Sequence, residues 1–546
     1  MIDDLWYKNA VIYCLDVETF MDANGDGIGD FEGLSRRIEY LAGLGITCIW
    51  LIPFQPSPNR DDGYDITDYY GVSGRHGTLG DFVDFTHHAE EHGIRVPMDL
   101  VINHTSDQHP WFQSARADKN SPYRDWYVWS KKKPPDANKG MVFPGVQKTT
   151  WSWDPVARQY YFHRFYDFQP DLNTTHPQVR NEIRRIMGFW LQLGVSGFRV
   201  DAVPFVIEKK GAGIKHVQDF HMVREMRDFL QWRSGDAVLL AEANVLPDED
   251  LRYFGREDDR MHMMFNFMVN QNLFYAVASS DVRPLAVALR KTRGRPETGQ
   301  WVHFLRNNDE LDLGRLTDEQ RETVFEQFGP DPSMQLYGRG IRRRLAPMLN
   351  DDRRRLELAY SAMFTLPGTP VIRYGDEIGM GDNLELPERT AARTPMQWSN
   401  EPHGGFTKSD RPVLPVIDDP IYGFERVNAA QQRRESNSFL NWTERIIRMR
   451  KECPEIGWGD WKIVSARNPS VLAIRYDWRG NAVLIVHNFA AEPRSVTLDA
   501  GEDTLVSLLT DDHSRSKSGK HRITLDAYGY CWYRVGGLAY ILDRER

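Results

Sequence analysis

The feature that most constrains the fold is a repeated phrase, in which an amphipathic helix ends at a glycine and a short β-rich run follows. The phrase occurs three times, with Gly45, Gly93 and Gly194 at the junctions. A glycine in this position adopts the left-handed backbone that ends a helix. Helices that alternate with strands predict a parallel sheet covered by helices.

Eight β-rich runs of this kind lie along the chain. They cover residues 11–16, 46–52, 95–101, 197–202, 237–242, 263–267, 301–306 and 369–374. Eight parallel strands close into a TIM (β/α)8 barrel. An open, doubly wound sheet is the alternative, but no GxGxxG motif follows the first run, and polar residues follow several different runs. The predicted fold class is therefore α/β, a TIM barrel.

Two segments interrupt the alternation. Residues 103–174, rich in Trp, Tyr, Pro and His, separate the third strand from its helix, and we expect them to form an inserted subdomain over the barrel mouth. Residues 310–350 form a shorter, charged insertion after the seventh strand. The barrel itself is assigned to residues 1–102 and 175–455.

Near residue 456 the apolar pattern changes to a period of two, as in residues 482–486 and 530–535. This pattern predicts a C-terminal antiparallel β domain, a sandwich, over residues 456–546. A chain of 546 residues is too long for one hydrophobic core, so several domains are expected.

Composition narrows the function classes. The formal net charge is -9 and no basic stripe is present, which argues against a nucleic-acid partner. The first residues are acidic, and no stretch reaches the roughly 18 apolar residues of a membrane span, so we expect a cytoplasmic protein without a membrane partner. The four scattered cysteines have no CxxC spacing and are predicted to be free thiols. A homo-oligomer remains open.

Acidic residues stand at the ends of several predicted strands, where a barrel assembles its active site. Asp201 ends the fourth strand, Glu242 ends the fifth and Asp309 follows the seventh. Retaining transfer of a glycosyl group needs a carboxylate and a carboxylic acid roughly 5 to 5.5 Å apart. Arg199 shares a strand face with Asp201 and can keep it ionised. The apolar run before Glu242 predicts a raised pKa, which suits a proton donor.

One such acid alone would be read as a solvated loop carboxylate or a structural ion pair, but three together favour catalysis. The motifs that hold them resemble glycoside hydrolase family 13, the α-amylase family. They are GFRVDAV at 197–203, LAEAN at 240–244 and FLRNNDE at 304–310. The resemblance covers essentially the whole chain and implies a retaining enzyme that acts on α-glucosides. It implies that Asp201 is the nucleophile, Glu242 the general acid/base and Asp309 the carboxylate that grips the sugar hydroxyls.

The same resemblance implies further sugar-binding residues. They are Tyr64, Asp65, His104, Arg199, Asn308 and Arg393. Tyr64 would stack on the sugar, while Asp65 and Arg393 would fix its non-reducing end. The family motif normally reads Asn-His-Asp, and Asn308 replaces the histidine here. An amide still donates a hydrogen bond but carries no charge, so we expect a working but altered sugar subsite.

Residues 22–30 read DANGDGIGD and space oxygen donors two residues apart around a glycine turn, as a Ca²⁺ loop requires. Gly33 stands where an EF-hand has its last glutamate, so the loop is not an EF-hand. It resembles the Ca²⁺ site of the oligoglucosidase and trehalose synthase branch of the family. That resemblance implies a structural Ca²⁺, with Mg²⁺ as the other metal, held by Asp22, Asn24, Asp26, Ile28 and Asp30. A plain turn rich in Asp and Asn is the alternative.

Other motifs resemble the same branch. They are QPDLN at 169–173, RTPMQW at 393–398, GIRRRLAP at 340–347 and YGDEIGMGD at 374–382. The last two resemble trehalose synthases and imply interconversion of maltose and trehalose by intramolecular glucosyl transfer, with both insertions acting as lids that exclude water. A solvated helix face is the other interpretation of the arginine run Arg342–Arg344.

The sequence leaves three functions open. The first is the maltose–trehalose isomerase. The second is an α-glucosidase or transglucosylase that acts on short α-1,4-glucosides, since Ala202 after the nucleophile resembles α-1,4-preferring members. The third is a catalytically inactive barrel relative. The expected partners of the two enzymes are small α-glucosides such as maltose and trehalose.

Overall fold

Eight parallel strands close into a barrel at the centre of the protein, which confirms the predicted fold class. The coordinates are a computed structural model that describes residues 5–214, 217–501 and 503–536. The barrel strands are Ile12–Leu15, Cys48–Leu51, Pro97–Leu100, Gly197–Val200, Val238–Ala241, Met263–Phe265, Gln300–Phe304 and Thr369–Arg373. Each overlaps its predicted run. The last strand pairs with the first, with Val371 opposite Ile12, and this pairing closes the barrel.

The main helices alternate with these strands along the chain. They are Phe31–Ser35, Ile38–Leu44, Leu79–Glu91, Pro177–Gln192, Phe220–Arg233, Pro247–Phe254, Phe267–Ser279, Arg283–Lys291, Arg353–Thr365 and Phe439–Lys451. Gly45 has a φ of 96° and donates its N–H to the carbonyls of Leu41 and Ala42, as a glycine that ends a helix does. None of the helices in the described part of the chain is long and apolar enough to cross a bilayer.

The core has two layers. One cluster fills the barrel, with Trp50, Leu240 and Phe304 among its members. A larger cluster lies between the strands and the helices and includes Tyr13, Leu239 and Trp190. Alternate residues of one strand therefore serve different layers, which is the period of two that a β-strand imposes.

The first insertion lies between the third barrel strand and the helix Pro177–Gln192. It contains the helix Pro110–Ala117 and a three-stranded antiparallel sheet of Trp129–Ser130, Trp151–Asp154 and Gln159–Phe162. Phe112 stacks on Trp129 with ring centroids 5.6 Å apart, so aromatic side chains form much of its packing. The second insertion joins the helix Asp318–Phe328 to a sheet of Leu311–Asp312, Gln335–Leu336 and Gly340–Ile341.

The arginine run Arg342–Arg344 does not form a solvated helix face, so that interpretation is wrong. Arg344 is fully buried and pairs with Asp376 at 3.0 Å. Arg342 donates to the carbonyl oxygens of Leu384 and Leu386 at 2.7 and 2.6 Å. The run instead joins the second insertion to the segment after the eighth barrel strand.

The C-terminal region is antiparallel. One sheet contains Asp460–Val464, Val471–Trp478, Asn481–Asn488, Leu505–Ser507, His513–Ser514 and Tyr530–Val535, and a second contains Arg494–Asp499 and Lys520–Leu525. Apolar residues from both sheets, such as Leu484 and Leu498, share one core cluster. Residue 502 and residues 537–546 of the predicted domain lie outside the described residues. All four cysteines are free thiols, as predicted.

Candidate active site

The three predicted acids, Asp201, Glu242 and Asp309, border one cavity of about 560 Å³. Each follows a different barrel strand, and parallel strands place their C-terminal ends at the same mouth. Both insertions also contribute to the cavity wall, through residues such as Phe143 and Arg315. A volume in the range of about 300 to 1,000 Å³ suits a small-molecule ligand.

Arg199 connects the two acids expected to carry the chemistry. Its Nη1 donates to Asp201 Oδ1 at 2.6 Å, and its Nη2 lies 2.8 Å from Glu242 Oε2. One planar guanidinium therefore sets the spacing between the two carboxyl groups. The other Asp201 oxygen, Oδ2, takes no part in this contact.

Asp99 holds Arg199 in turn. The two residues are paired in the register of neighbouring barrel strands, and Arg199 Nη1 reaches Asp99 Oδ2 at 3.0 Å. Tyr64 donates its hydroxyl to the same Asp99 oxygen at 2.6 Å, while Trp50 Nε1 donates to Oδ1 at 2.7 Å. Tyr64 also borders the cavity, so its ring is fixed where a sugar would pack.

The environments of Asp201 and Glu242 raise the pKa of both carboxyl groups. Burial raises the pKa of Asp201 to about 6, and Arg199 opposes this rise. Burial raises the pKa of Glu242 to about 7, in the predicted direction, and Arg199 again opposes it. A carboxylic acid that keeps its proton beside a carboxylate that has lost one is the pairing that retaining glycosyl transfer uses.

At Asp309 the neighbouring positive charges have a larger effect on the pKa than burial has, in contrast to Asp201 and Glu242. Burial acts to raise its pKa, but the charges of Arg389 and Arg393 outweigh burial and hold the pKa below its usual value. Arg389 Nη1 lies 3.0 Å and Arg393 Nη2 lies 3.7 Å from Asp309 Oδ1. Asp309 is therefore a carboxylate at neutral pH, able to accept hydrogen bonds from sugar hydroxyls.

His104 borders the cavity as expected, and its Nε2 contacts the Tyr64 carbonyl oxygen at 3.0 Å. Asp65 does not border it. The Asp65 carboxylate is fully buried, accepts from Ser57 Oγ at 2.7 Å and pairs with Arg60 at 3.3 Å. The expectation that Asp65 fixes the sugar therefore disagrees with its position, because it closes the turn that precedes Tyr64.

Asn308 and Arg393 lie behind Asp309 rather than in the cavity wall. Asn308 Nδ2 donates to Asp62 Oδ2 at 2.6 Å, and Arg393 Nη1 lies 3.2 Å from the same oxygen. Arg393 Nε also donates to the Asn308 carbonyl oxygen at 3.0 Å. The three side chains form a polar network that supports Asp309 from outside the cavity.

Several residues in the cavity wall were not predicted. They include Asp61, Phe143, Phe165, Glu310, Arg315 and Arg389. Arg389 stands four residues before Arg393, and Glu310 follows Asp309 directly, so both lie beside a predicted motif. The aromatic and charged composition of the two insertions also indicated that they could contribute to the cavity wall. It did not identify individual residues.

The loop of residues 22–30 folds around its own acceptors. Asp22 accepts the N–H groups of Gly25 and Gly27 at 2.7 and 2.8 Å, and Asp30 Oδ1 accepts that of Gly33 at 2.6 Å. Carboxylates keep further lone pairs beyond these bonds, and an all-oxygen donor set suits Ca²⁺ or Mg²⁺. Within residues 5–214, 217–501 and 503–536, no three acidic, histidine or cysteine side chains converge as metal ligands.

Comparison with known proteins gives the family. The model of the α-amylase catalytic domain matches residues 14–325 and 341–459, and a sucrose hydrolase-like C-terminal domain matches residues 480–534. A trehalose synthase of Thermus thermophilus is 43% identical over 98% of this chain, which spans 56% of that protein's length. A trehalose synthase/amylase of Mycobacterium tuberculosis is 40% identical over 98% of this chain and 91% of its own length.

A solved structure has the same architecture. The trehalulose synthase of Pseudomonas mesoacidophila is 28% identical, with a TM-score of 0.79 over 97% of this chain and 99% of that one. A variant of that enzyme was solved with its substrate sucrose. The matched catalytic domain, the closed barrel and the three acids at its mouth agree. This chain belongs to the α-amylase family, glycoside hydrolase family 13, and is an enzyme of the retaining type.

Proposed function

We propose that this enzyme interconverts maltose and trehalose by moving a glucosyl group within one binding event. The observation that carries the proposal is the cavity in which one guanidinium holds Asp201 and Glu242 while residues of both insertions line the wall. Identities of 43% and 40% with trehalose synthases over 98% of this chain support the choice of substrate.

In the first step, Asp201 Oδ2 attacks the anomeric carbon of the non-reducing glucose of maltose. The bond from that carbon to the glycosidic oxygen breaks, and Glu242 gives its proton to the oxygen as it leaves. The products are a β-glucosyl ester on Asp201 and a free glucose molecule. Arg199 neutralises the charge that shifts between the two carboxyl groups, and Asp309 accepts hydrogen bonds from the sugar hydroxyls.

In the second step, the released glucose turns inside the cavity and presents its anomeric hydroxyl. Glu242, now a carboxylate, takes the proton of that hydroxyl, and the oxygen attacks the anomeric carbon of the ester. The ester bond breaks and Asp201 is regenerated. The two inversions leave the transferred glucosyl group in the α configuration. When the attacking hydroxyl belongs to the α-anomer of the released glucose, the product has an α,α-1,1 linkage, which is trehalose. Water competes for the same carbon, so the two insertions must keep it out.

Incubation with maltose and chromatography of the sugars tests the proposal. Trehalose as the main product, formed in Asp201-dependent fashion, supports it. Glucose alone supports the alternative of an α-glucosidase, and longer glucosides support a transglucosylase. The Asp201→Ala variant is the control, because a contaminating enzyme would leave its product pattern unchanged.

We also propose that residues 22–30 bind a structural Ca²⁺. The ligands would be Asp22, Asn24, Asp26, the Ile28 carbonyl and Asp30, and their hard oxygen donors support this choice. None of these residues borders the cavity, and Asp22 accepts a hydrogen bond from the Thr407 hydroxyl. The bound cation would therefore add stability rather than take part in the chemistry.

A further inference from the structure

Arg389 lies between the Asp309 carboxylate and the aromatic side chains of the two insertions. Its side chain is only 14% exposed. Nη1 lies 3.0 Å from Asp309 Oδ1, and Nε donates to Glu310 Oε2 at 2.7 Å. Arg389 thus holds two successive carboxylates after the seventh barrel strand, each through a different nitrogen.

The other side of the guanidinium faces two aromatic rings, Phe143 and Tyr337, which we call the roof pair. The Arg389 guanidinium lies 5.0 Å from the Phe143 ring centroid and 5.7 Å from that of Tyr337. Phe143 belongs to the first insertion and Tyr337 to the second, and their ring centroids are 5.2 Å apart. The two insertions therefore meet above Arg389 and shield it from water.

The residue before Arg389, Glu388, also contacts both insertions. Glu388 accepts hydrogen bonds from the hydroxyls of Tyr166 and Tyr337 at 3.2 and 3.5 Å. Glu388 also has a φ of 43°, a left-handed conformation that costs energy for a residue other than glycine. One tyrosine comes from each insertion, so contacts with both insertions hold this strained turn in place.

We propose that Arg389 is a positioning residue that holds the Asp309 carboxylate toward the substrate only while the roof pair is closed. The attraction between two charges is about four times stronger at the dielectric constant of a protein surface than in water. Opening the roof pair would hydrate the guanidinium and release the turn at Glu388. Asp309 would then lose both the charge and the geometry that Arg389 provides.

This inference rests on the proposed function. It adds a way in which the enzyme would exclude water before the glucosyl ester forms. A sugar would be gripped by Asp309 only in a closed cavity, so cleavage of maltose would begin only when water is already excluded. The released glucose would then be the nearest acceptor for the glucosyl ester. If Asp309 binds the sugar only while the roof pair is closed, isomerisation is favoured over hydrolysis. Asp201 and Glu242 need not differ from those of a hydrolase.

Cleavage of 4-nitrophenyl α-glucoside by Arg389→Met tests the positioning role, because this substrate reports the first step alone. We expect kcat/KM to fall on the order of 10²-fold. The charged groups around Asp309 are Arg199, Arg306, Arg389, Arg393, Asp201 and Glu242. Without Arg389 the pKa of Asp309 should rise, so the acid limb of the pH profile should steepen from one ionisation to two. Arg389→Lys should restore the single ionisation.

Replacement of the roof pair separates positioning from packing. Tyr337→Leu and Phe143→Leu should steepen the same acid limb and raise the ratio of glucose to trehalose formed from maltose several-fold. Adding Tyr337→Leu to Arg389→Met should cause little further loss, because both changes break one linkage. Trp153→Leu, at an aromatic side chain of the first insertion that is 49% exposed, is the matched control and should change neither readout.

Two results would overturn the inference. One is an Arg389→Met enzyme whose loss is equal at every pH, with a single ionisation in the acid limb. The other is full additivity of the Tyr337 and Arg389 changes. If the parent enzyme forms no trehalose, the proposed function fails, yet the profiles with 4-nitrophenyl α-glucoside still decide the role of Arg389.

Discussion

The backbone N–H of Ala202 donates a hydrogen bond to the Glu242 carboxylate over 3.1 Å, so the residue after the proposed nucleophile Asp201 holds the proposed general acid/base. Ala202 has a φ of 48° and a ψ of 44°, a left-handed conformation, and leads into the short helix Val203–Val206. This turn directs the N–H away from its own strand and toward the neighbouring one. The positions of Asp201 and Glu242 are therefore linked through the backbone as well as through Arg199.

The left-handed conformation of Ala202 predicts the effect of two substitutions. Ala202→Gly should raise the stability by about 1 kcal/mol, because glycine has no Cβ to resist this conformation. Ala202→Val should lower the stability, since a β-branched side chain tolerates it least. Thermal unfolding of both variants checks this. A valine variant as stable as the glycine variant would show that the turn is not strained.

The acidities of Asp201 and Glu242 predict a narrow pH profile. The nucleophile must be ionised, so kcat/KM should rise as the pH passes about 6. The acid must hold its proton, so kcat/KM should fall as the pH passes about 7. Arg199 opposes burial at both groups, and Arg199→Met should therefore move the acid limb to higher pH. A profile that stays flat from well below the first value to well above the second would contradict these assignments.

The role of Glu242 predicts a dependence on the leaving group. Glu242→Gln cannot donate a proton, so cleavage of maltose should slow by about 10² to 10⁴-fold. Nitrophenolate leaves without protonation, and the first step on 4-nitrophenyl α-glucoside should be affected far less. A burst of nitrophenol followed by slow turnover would mark the trapped ester on Asp201. Equal losses on both substrates would assign the proton transfer to another group.

Asn308 predicts a change in substrate affinity. Asn308 Nδ2 donates to Asp62 and its Oδ1 faces Arg373 Nη2 at 3.5 Å, so Asn308→His would remove one acceptor from this network. One hydrogen bond is worth about 1 kcal/mol, or roughly fivefold in KM for maltose. Steady-state kinetics on maltose, trehalose and 4-nitrophenyl α-glucoside measure it. Unchanged constants on every substrate would mean that this network does not reach the sugar.

The fold and the meeting of three acidic side chains at one cavity could be predicted because both follow from local rules. A helix that ends at Gly45 or Gly194 before an apolar run identifies one unit of a parallel barrel. The closed barrel then brings residues after different strands to one mouth, so Asp201, Glu242 and Asp309 had to meet there. Both features depend on the order of helices and strands and not on particular side-chain contacts.

The turn before Tyr64 and the cover of the cavity could not be predicted in this way. Asp62 and Gly63 have φ values of 51° and 84°, and these left-handed residues reverse the chain so that Asp61 rather than Asp65 borders the cavity. The side chain of Arg389 is positioned by the rings of Phe143 and Tyr337, which are about 250 and about 50 residues away along the chain. Contacts of that kind depend on tertiary packing, which neither periodicity nor spacing encodes.

The loop of residues 22–30 predicts a cation-dependent stability. If it binds Ca²⁺ in the folded state only, Ca²⁺ at about 100 times its Kd should add about 2.7 kcal/mol to the free energy of unfolding, and a chelator should remove this gain. Asp22→Asn keeps an acceptor for Gly25 but removes a negative charge, so it should weaken the response to Ca²⁺. Asp318→Asn, at a side chain that is 89% exposed on the helix Asp318–Phe328 of the second insertion, is the control and should respond like the parent. If neither Ca²⁺ nor Mg²⁺ shifts the unfolding temperature of the chelated parent enzyme, the loop is a turn that its own backbone N–H groups satisfy.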